Sequence, residues 1–527
     1  MSDLIHEFIF TSAQRTPEAE ALVSGQRRLD YAALAAIVGK TADGLLAAGL
    51  GRGERVAVYL EKNVENVAAM FGAAAAGGVF VPVNPLLKPE QVGYILADCN
   101  VRVLVTSGDR LRLLAPALAL CPDLTMVVVT GAGALPAVDG VTVMPWDALV
   151  AAPSGQRPHR VIDADVAAIL YTSGSTGKPK GVVLSHRNIV AGATSVASYL
   201  ENTPADRILA VLPLSFDYGL SQLTTAFHVG ATAVLINYLL PRDIVKAVEA
   251  ERITGLAAVP PLWIQVAQLI WPADCTIRYI TNSGGAMQRP TLDALRRALP
   301  NARPFLMYGL TEAFRSTFLP PEELDRRPDS MGKAIPNAEV VVLRADGSEC
   351  EPGEPGELVH RGALVSLGYW NDRAKTAERF KPVVSNHHGL PLTEMAVWSG
   401  DTVRKDEEGF LYFISRNDEM IKTSGYRVSP SEVEEVVYAR EQVAEAAAIG
   451  VSHPTLGQAI VVIAHAKEGM PIDADALMAA CKPHLPAYML PARIVMAEAS
   501  LPRNPNGKID RKLLSQQFEN TFMEASK

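Results

Sequence analysis

Apolar positions in the first part of the chain follow two rhythms. "ERVAVYL" (Glu54–Leu60) and "VRVLVTS" (Val101–Ser107) are short runs rich in β-branched residues and read as strands. Between them, "NVENVAAMFGAAAAG" (Asn63–Gly77) has the length and composition of a buried helix. The uncharged stretch Val67–Val83 is interrupted by Gly77, Gly78 and Pro82, so it predicts a buried helix running into a strand rather than a membrane span. Strand–helix alternation of this kind predicts an α/β domain with a parallel sheet. The loop Ala151–Arg160 punctuates it, and the same style continues to about residue 320. From "GKAIPNAEVVVL" to "GFLYFISR" the rhythm changes. Short strands are separated by "ADGSEC", "EPGEPGE" and "DEEG", which predicts a β-rich subdomain over about 332–416. Beyond it, a helix over Ser431–Arg440 capped by Ser429 or Ser431, and a strand at "AIVVIAHAK", predict a small α+β domain. The expected fold is α/β: a large N-terminal domain (1–416) and a small C-terminal domain (417–527).

Composition narrows the function. A chain of 527 residues exceeds what one compact core supports. The net charge of −8 disfavours nucleic acid or an anionic membrane as principal partner, since both call for a basic footprint. Cys99, Cys121, Cys275, Cys350 and Cys481 are scattered and form no C-x-x-C, so free buried thiols are expected. The start, "MSDLIHEFIF", lacks a basic n-region and is not expected to act as a secretory signal. A cytoplasmic protein follows as the expectation. His387 and His388 are adjacent, have no acidic partners nearby in sequence, and read as solvated rather than metal-binding.

The chemistry starts at "YTSGSTGKPKG" (Tyr171–Gly181). Gly174, Gly177 and Lys178 echo the end of a Walker loop, but Pro179 replaces the hydroxyl that would hold magnesium. The β-branched "GVVLS" that follows predicts a strand, so no helix N-terminus is available to hold phosphate. What remains is a loop rich in backbone N–H groups and hydroxyls, suited to wrapping phosphates. The string resembles the signature of the adenylate-forming superfamily, which contains acyl-CoA synthetases, adenylation domains of peptide synthetases, and luciferases.

Further motifs carry the resemblance in the same order. "NSGGAM" (Asn282–Met287) is similar to the loop flanking adenine, with Gly285, Ala286 and Met287 on the nucleotide. "YGLTE" (Tyr308–Glu312) resembles the central motif. It implies that Tyr308 stacks on adenine beside Gly309, Thr311 touches the α-phosphate and Glu312 holds Mg²⁺. "WSGD" implies Asp401 on the ribose, and "SRNDEMIKTSGYRVSPSEVE" resembles the hinge region. There Arg416 would contact ribose, Asp418 would be the pivot, and Lys422 and Gly425 would line a thiol tunnel. "PRNPNGKIDR" matches the C-terminal signature, with Lys508 as catalytic lysine. Thr172, Ser173, Gly174, Ser175, Thr176, Gly177 and Lys180 would hold the β- and γ-phosphates.

The implied reaction is ATP-dependent activation of a carboxylic acid as acyl adenylate, then transfer to the thiol of coenzyme A. The compact length resembles stand-alone acyl-CoA ligases, including the exosortase-associated group. For the acid, "LPLSFDYGL" makes Phe216, Asp217, Tyr218 and Ser221 pocket candidates, with Asn282 and Trp263. Two readings of Asp217 stand. It binds an amino group on the substrate, as in amino-acid-activating members, or it bonds backbone at a turn. The first favours a stand-alone amino-acid ligase that loads a carrier-protein phosphopantetheine. A non-catalytic nucleotide-binding scaffold is disfavoured by Glu312 and Lys508. A luciferase-like oxygenase is disfavoured by the ending "EASK", which lacks the S-K-L signal.

Overall fold

The computed structural model describes residues 2–133, 135–153, 155–172, 178–383, 394–416, 420–467, 469–503 and 509–522, with backbone alone at 415, 416 and 431. The fold is mixed α/β, built on three sheets.

The first sheet has five parallel strands at its centre and one edge. Arg55–Tyr59 lies between Val79–Pro82 and Val101–Ser107, and Met126–Thr130 and Thr142–Pro145 extend it. At the other edge Val79–Pro82 meets Val166–Thr172, which turns back as an antiparallel hairpin with Lys180–Ser185. Both "VRVLVTS" and "GVVLS" are strands, as their patterns predict. The helix Val64–Ala76 starts where the Asn63 side chain accepts from the Asn66 N–H, and ends at Gly77 in the left-handed region (φ 86°). Nearly all its residues are buried, which explains its apolar circumference. Its Phe71 meets Phe227 edge to face, with ring centroids 5.4 Å apart. Each such side chain contributes about 1.5–3 kcal/mol of burial.

In the second sheet, Arg207–Ala210, Gly255–Ala258, Tyr279–Asn282 and Arg303–Leu310 run parallel. The chain then reverses through Ala313–Leu319 to Ser330–Ala334. The stretch expected to be β-rich continues this sheet. Ser330–Ala334 pairs Leu411–Arg416, which pairs Glu394–Lys405, followed by Pro355–Gly362 and Ala338–Leu343.

A third, small sheet holds Ile421–Thr423, Tyr426–Val428, Val443–His453, Gly457–Ala466 and Arg493–Ala497. The expected helix here runs Pro430–Tyr438. Proline at its first position presets φ, so Ser429 takes the cap position without a side-chain cap bond and Ser431 lies inside the helix.

All five cysteines are free, and Cys275 alone is not fully buried. Burial pushes the Cys99 thiol up to about 12 and the Cys121 thiol to about 11, which makes them inert. Among the described residues no helix is long and apolar enough to cross a membrane.

Candidate active site

The parallel strands of the second sheet end together, and the chemistry gathers at their carboxyl ends, where open α/β sheets place ligands. Tyr279–Asn282 delivers Asn282, whose side-chain N–H donates to the Gly285 carbonyl at 2.9 Å. That bond holds the turn in which Gly284 has φ 81°, and it leaves Gly285 half-buried and Ala286 exposed. The next strand, Arg303–Leu310, delivers Tyr308 and leads into Thr311 and Glu312.

Three segments converge on Glu312. Its backbone is tied by the Ser366 N–H, which donates to the Glu312 carbonyl at 2.8 Å, and by the bridge between Ala313 and Val365. The same strap runs on to the phosphate hairpin. Leu367 N–H donates to Val183, Val183 N–H to Gly368, and Trp370 N–H to Gly181. Asn188, in the first turn of the helix His186–Tyr199, donates to the Ala363 and Val365 carbonyls and anchors the strap from below. Tyr369 is thereby fixed between Lys180 and Glu312. Its hydroxyl donates to Glu312 Oε1 at 2.6 Å and accepts from Lys180 Nζ at 3.1 Å. Lys180 Nζ lies 3.8 Å from Glu312 Oε1. Burial works against charge on Glu312, but the Lys180 ammonium, the Tyr369 hydroxyl and Arg427 outweigh it and hold the carboxyl at about 2. Burial in turn lowers the Lys180 ammonium, with Glu312 opposing.

Tyr308 and Asp401, expected on adenine and ribose, bond each other: the Tyr308 hydroxyl donates to Asp401 Oδ2. Asp401 is fully buried. The Tyr308 ring stacks on His360, which belongs to none of the motifs that mark the site in the sequence. Burial takes the His360 imidazole down to about 3, so it is neutral.

Of the acid-pocket candidates, Asp217 and Tyr218 open the helix Asp217–Val229, in the first turn where the dipole favours an anion. Burial pushes the Asp217 carboxyl up, with the Arg315 charge opposing. Tyr218 and Ser221 line a small cavity with Thr281, Met307 and Arg315. Phe216 faces elsewhere, edge to face with Tyr426 at 5.1 Å. Trp263 is core: its indole N–H donates to the Ala258 and Thr281 carbonyls.

Phe216 and Tyr426 share a larger cleft of about 350 Å³. Its walls include Lys62, Val211–Phe216 and Val259, and Ser424–Tyr426 close one side. Gly425 has φ 82°, and a Cβ there would stand 2.6 Å from Val259 Cγ2, so only glycine permits this approach. Lys62 Nζ donates to the Val211 carbonyl at 2.5 Å, and burial draws its ammonium down to about 7. Lys422 sits with its ammonium 5.7 Å from the Phe413 ring. The expected roles of Ser173, Gly174, Ser175, Thr176, Gly177, Asp418, Lys508, His387 and His388, and of the Arg416 side chain, fall outside the described residues.

Residues 9–370 match the family model described as AMP-binding enzyme, and residues 432–508 match the AMP-binding enzyme C-terminal domain. The chain belongs to the AMP-binding enzyme family. It is an adenylate-forming ligase. It is 32% identical to the L-proline–[L-prolyl-carrier protein] ligase of Pseudomonas fluorescens, over 98% of this chain and 99% of that one. It is also 32% identical to the L-proline–[L-prolyl-carrier protein] ligase of Streptomyces coelicolor, over 96% of this chain and 94% of that one. Among solved structures, it resembles an o-succinylbenzoate CoA synthetase double mutant from Bacillus subtilis bound with a product analogue. The TM-score is 0.83 at 27% identity, covering 97% and 98% of the two chains. Against the complex of that enzyme with its acyl-adenylate intermediate the TM-score is 0.68, also at 27% identity, covering 96% and 97%.

In this AMP-binding enzyme two residues of the site, Tyr369 and Arg315, lie outside every motif that marks the site in the sequence. Tyr369 reaches Glu312 only through the strap. Arg315 offers a faint signal: a lone charge inside the apolar run "AFRSTFL" has to be buried or to bend the strand out.

Proposed function

We propose that this chain is an ATP-dependent acid:thiol ligase that activates an amino-bearing carboxylic acid and loads it on the phosphopantetheine thiol of a carrier protein. The observation that carries the reading is Asp217 at the head of its helix, its carboxyl buried and in the field of both Arg315 and Glu312. Burial pushes this carboxyl up, so it is ionised only when a cation pairs with it; a substrate ammonium supplies that charge and a plain fatty acid does not. Near full-length similarity to a stand-alone carrier-protein ligase supports the thiol.

The substrate carboxylate attacks the α-phosphorus of ATP. A new P–O bond forms, and the bond to pyrophosphate breaks. Such transfers ask the protein mainly for positioning and charge. Thr172, Lys180 and the loop between them would hold the departing pyrophosphate, Thr311 the α-phosphate, and Tyr308 and Asp401 the adenosine once their mutual bond opens. Lys508 would neutralise charge on the transferring group. Glu312, one buried carboxylate kept ionised, fits a magnesium ligand that shares the ion with substrate phosphates. When bound, the ion screens phosphate charge. In the second step the thiol, entering along the cleft past Phe216 and Gly425 with Lys422 as a further expected tunnel residue, would attack the acyl carbon and expel AMP. The higher TM-score against the product-analogue complex than against the adenylate complex supports the reading that the chain stands in its thioester-forming arrangement.

The test is ATP–pyrophosphate exchange over fatty, aromatic and amino acids, followed by discharge of the best adenylate onto coenzyme A or onto a phosphopantetheinylated carrier protein. Amino acids should drive exchange, and the carrier should discharge the adenylate. Discharge by coenzyme A alone establishes the acyl-CoA ligase reading instead, which the likeness to a CoA synthetase favours. Absence of exchange with every acid refutes both.

A further inference from the structure

Arg315 is 2% exposed, yet among the described residues its Nε and Nη2 have no hydrogen-bond partner. Nor does it form an ion pair within 4.0 Å among those residues, not even with Asp217. An unpaired buried guanidinium is costly, and side chains in this condition sit where something else completes them. Its position is also strained. Arg315 has φ 76° within the strand Ala313–Leu319, beside the irregular register between Leu310 and Phe314. A non-glycine residue in the left-handed region inside a strand is held there by its surroundings, and such strain gathers at ligand sites.

Those surroundings fix where the side chain points. The guanidinium carbon lies 4.1 Å from the centre of the Tyr218 ring. Tyr218 cannot yield, because its hydroxyl is bonded to Thr281 at 2.7 Å. Arg315 thereby lines the small cavity with Tyr218, Ser221, Gln222 and Thr225. Thr225 Oγ1 is a second buried polar atom without a partner among the described residues. The space left is about 10 Å³, room for one water-sized group such as a single carboxylate oxygen, so the rest of a carboxylate enters only as the neighbouring Gln222 and Met307 side chains move aside. Nε and Nη2 lie on the same edge of the guanidinium, and that edge is the fork that meets both oxygens of a carboxylate.

We propose that Arg315 binds a second carboxylate of the acid substrate, so that the enzyme activates an amino acid carrying two carboxyl groups. The proposal rests on the ligase reading above. It balances the two opposite charges that face each other's field at the start of the helix Asp217–Val229. Asp217 takes the ammonium, Arg315 takes the carboxylate that does not react, and the other carboxylate is left to attack ATP. A monocarboxylic amino acid would leave Arg315 buried and unpaired. A simple fatty acid would leave both groups unpaired.

Pyrophosphate exchange on pairs of equal length tests it: glutamate against 2-aminopentanoate and against glutamine, and aspartate against 2-aminobutanoate. The wild type should favour a dicarboxylate over its uncharged partner by at least about 10²-fold in kcat/KM, the scale set by leaving one member of a buried charge pair alone. Arg315→Met should cost the dicarboxylate about 10²–10³-fold, the scale of removing one partner from such a pair. The loss should appear in KM, and the preference within the pair should collapse. Arg315→Lys should recover part of it, since the charge returns without the fork. Thermal melting should place Arg315→Met at or above the wild type, because a buried unpaired charge is gone; if that variant does not fold, Arg315→Lys and the wild-type preference decide. Exchange confined to monocarboxylic acids, or a preference that Arg315→Met leaves within about threefold of the wild type, overturns the proposal and spares the ligase reading. No exchange with any acid overturns both.

Discussion

Glu312 is ionised for reasons its own motif does not contain. The motif "YGLTE" makes the carboxylate legible, but the hydroxyl on it comes from Tyr369, in a strap far along the chain. Nothing in "LGYW" marks that tyrosine, because its position follows from backbone pairing with Val183 and Gly181. Arg315 was half legible, as a charge in an apolar strand, while its unpaired edge depends on a backbone twist that no pattern encodes. The Glu312 environment has a measurable consequence. Its carboxyl is depressed to about 2 in the fold, below the ordinary 4.5. It therefore stabilises the fold above pH 4.5 and loses that contribution as pH falls toward 2, worth up to about 3 kcal/mol at neutral pH. Glu312→Gln, which cannot ionise, should melt below the wild type at pH 7, with a gap that narrows as pH drops below 4.5. A gap constant from about pH 7 to about pH 3.5 would show that the charge contributes nothing. Exchange in the same variant should fall about 10²–10³-fold.

Elements were the most legible scale where a single periodicity governs them. "VRVLVTS" is a strand over its whole length, and the apolar helix ends at Gly77 as its glycine indicates. The helix Asp217–Val229 ends at Gly230 in the same way, but its start has no such signal. Its first turn holds the chemistry-bearing "FDYG", which reads equally as a turn. What seats that helix is Gly219: a Cβ there would fall 1.9 Å from the Pro213 carbonyl oxygen and 3.1 Å from that of Leu212. The obstacle is backbone, so it cannot swing aside. Gly219→Ala should push the first turn away from residues 212–213 and cost about 1–3 kcal/mol by overpacking. The same shift displaces Asp217 and Tyr218 together. Melting should fall and the KM for the acid should rise in one variant, whereas KM for ATP should change far less. An acid KM equal to the wild type in a folded Gly219→Ala protein would show that the helix start does not seat the substrate.

At the scale of the whole molecule, the α/β class with a small α+β end was readable from the alternation of periods. The union of the β-rich stretch with the parallel sheet was not. It depends on Ser330–Ala334 pairing on both edges, and register across such distance has no local signature. How the small sheet meets the rest was legible only in part. Resemblance pointed to Gly425 as a tunnel residue, but its closeness to Val259 is a fact of packing. That closeness separates the two half-reactions. Gly425→Val adds a side chain at φ 82° and into Val259, so it should block the arrangement in which Ser424–Tyr426 line the cleft. Adenylation needs no such approach in the reading proposed above. Gly425→Val should keep pyrophosphate exchange within a few-fold of the wild type and lose about 10²-fold or more in discharge of preformed adenylate to the thiol. Lys508→Ala should do the reverse: adenylation should fall about 10²–10³-fold, the scale of one electrostatic group, while discharge survives. Measured side by side on one acid, the two variants should cross. Equal loss of both half-reactions in either variant would mean that the small domain does not alternate between two tasks.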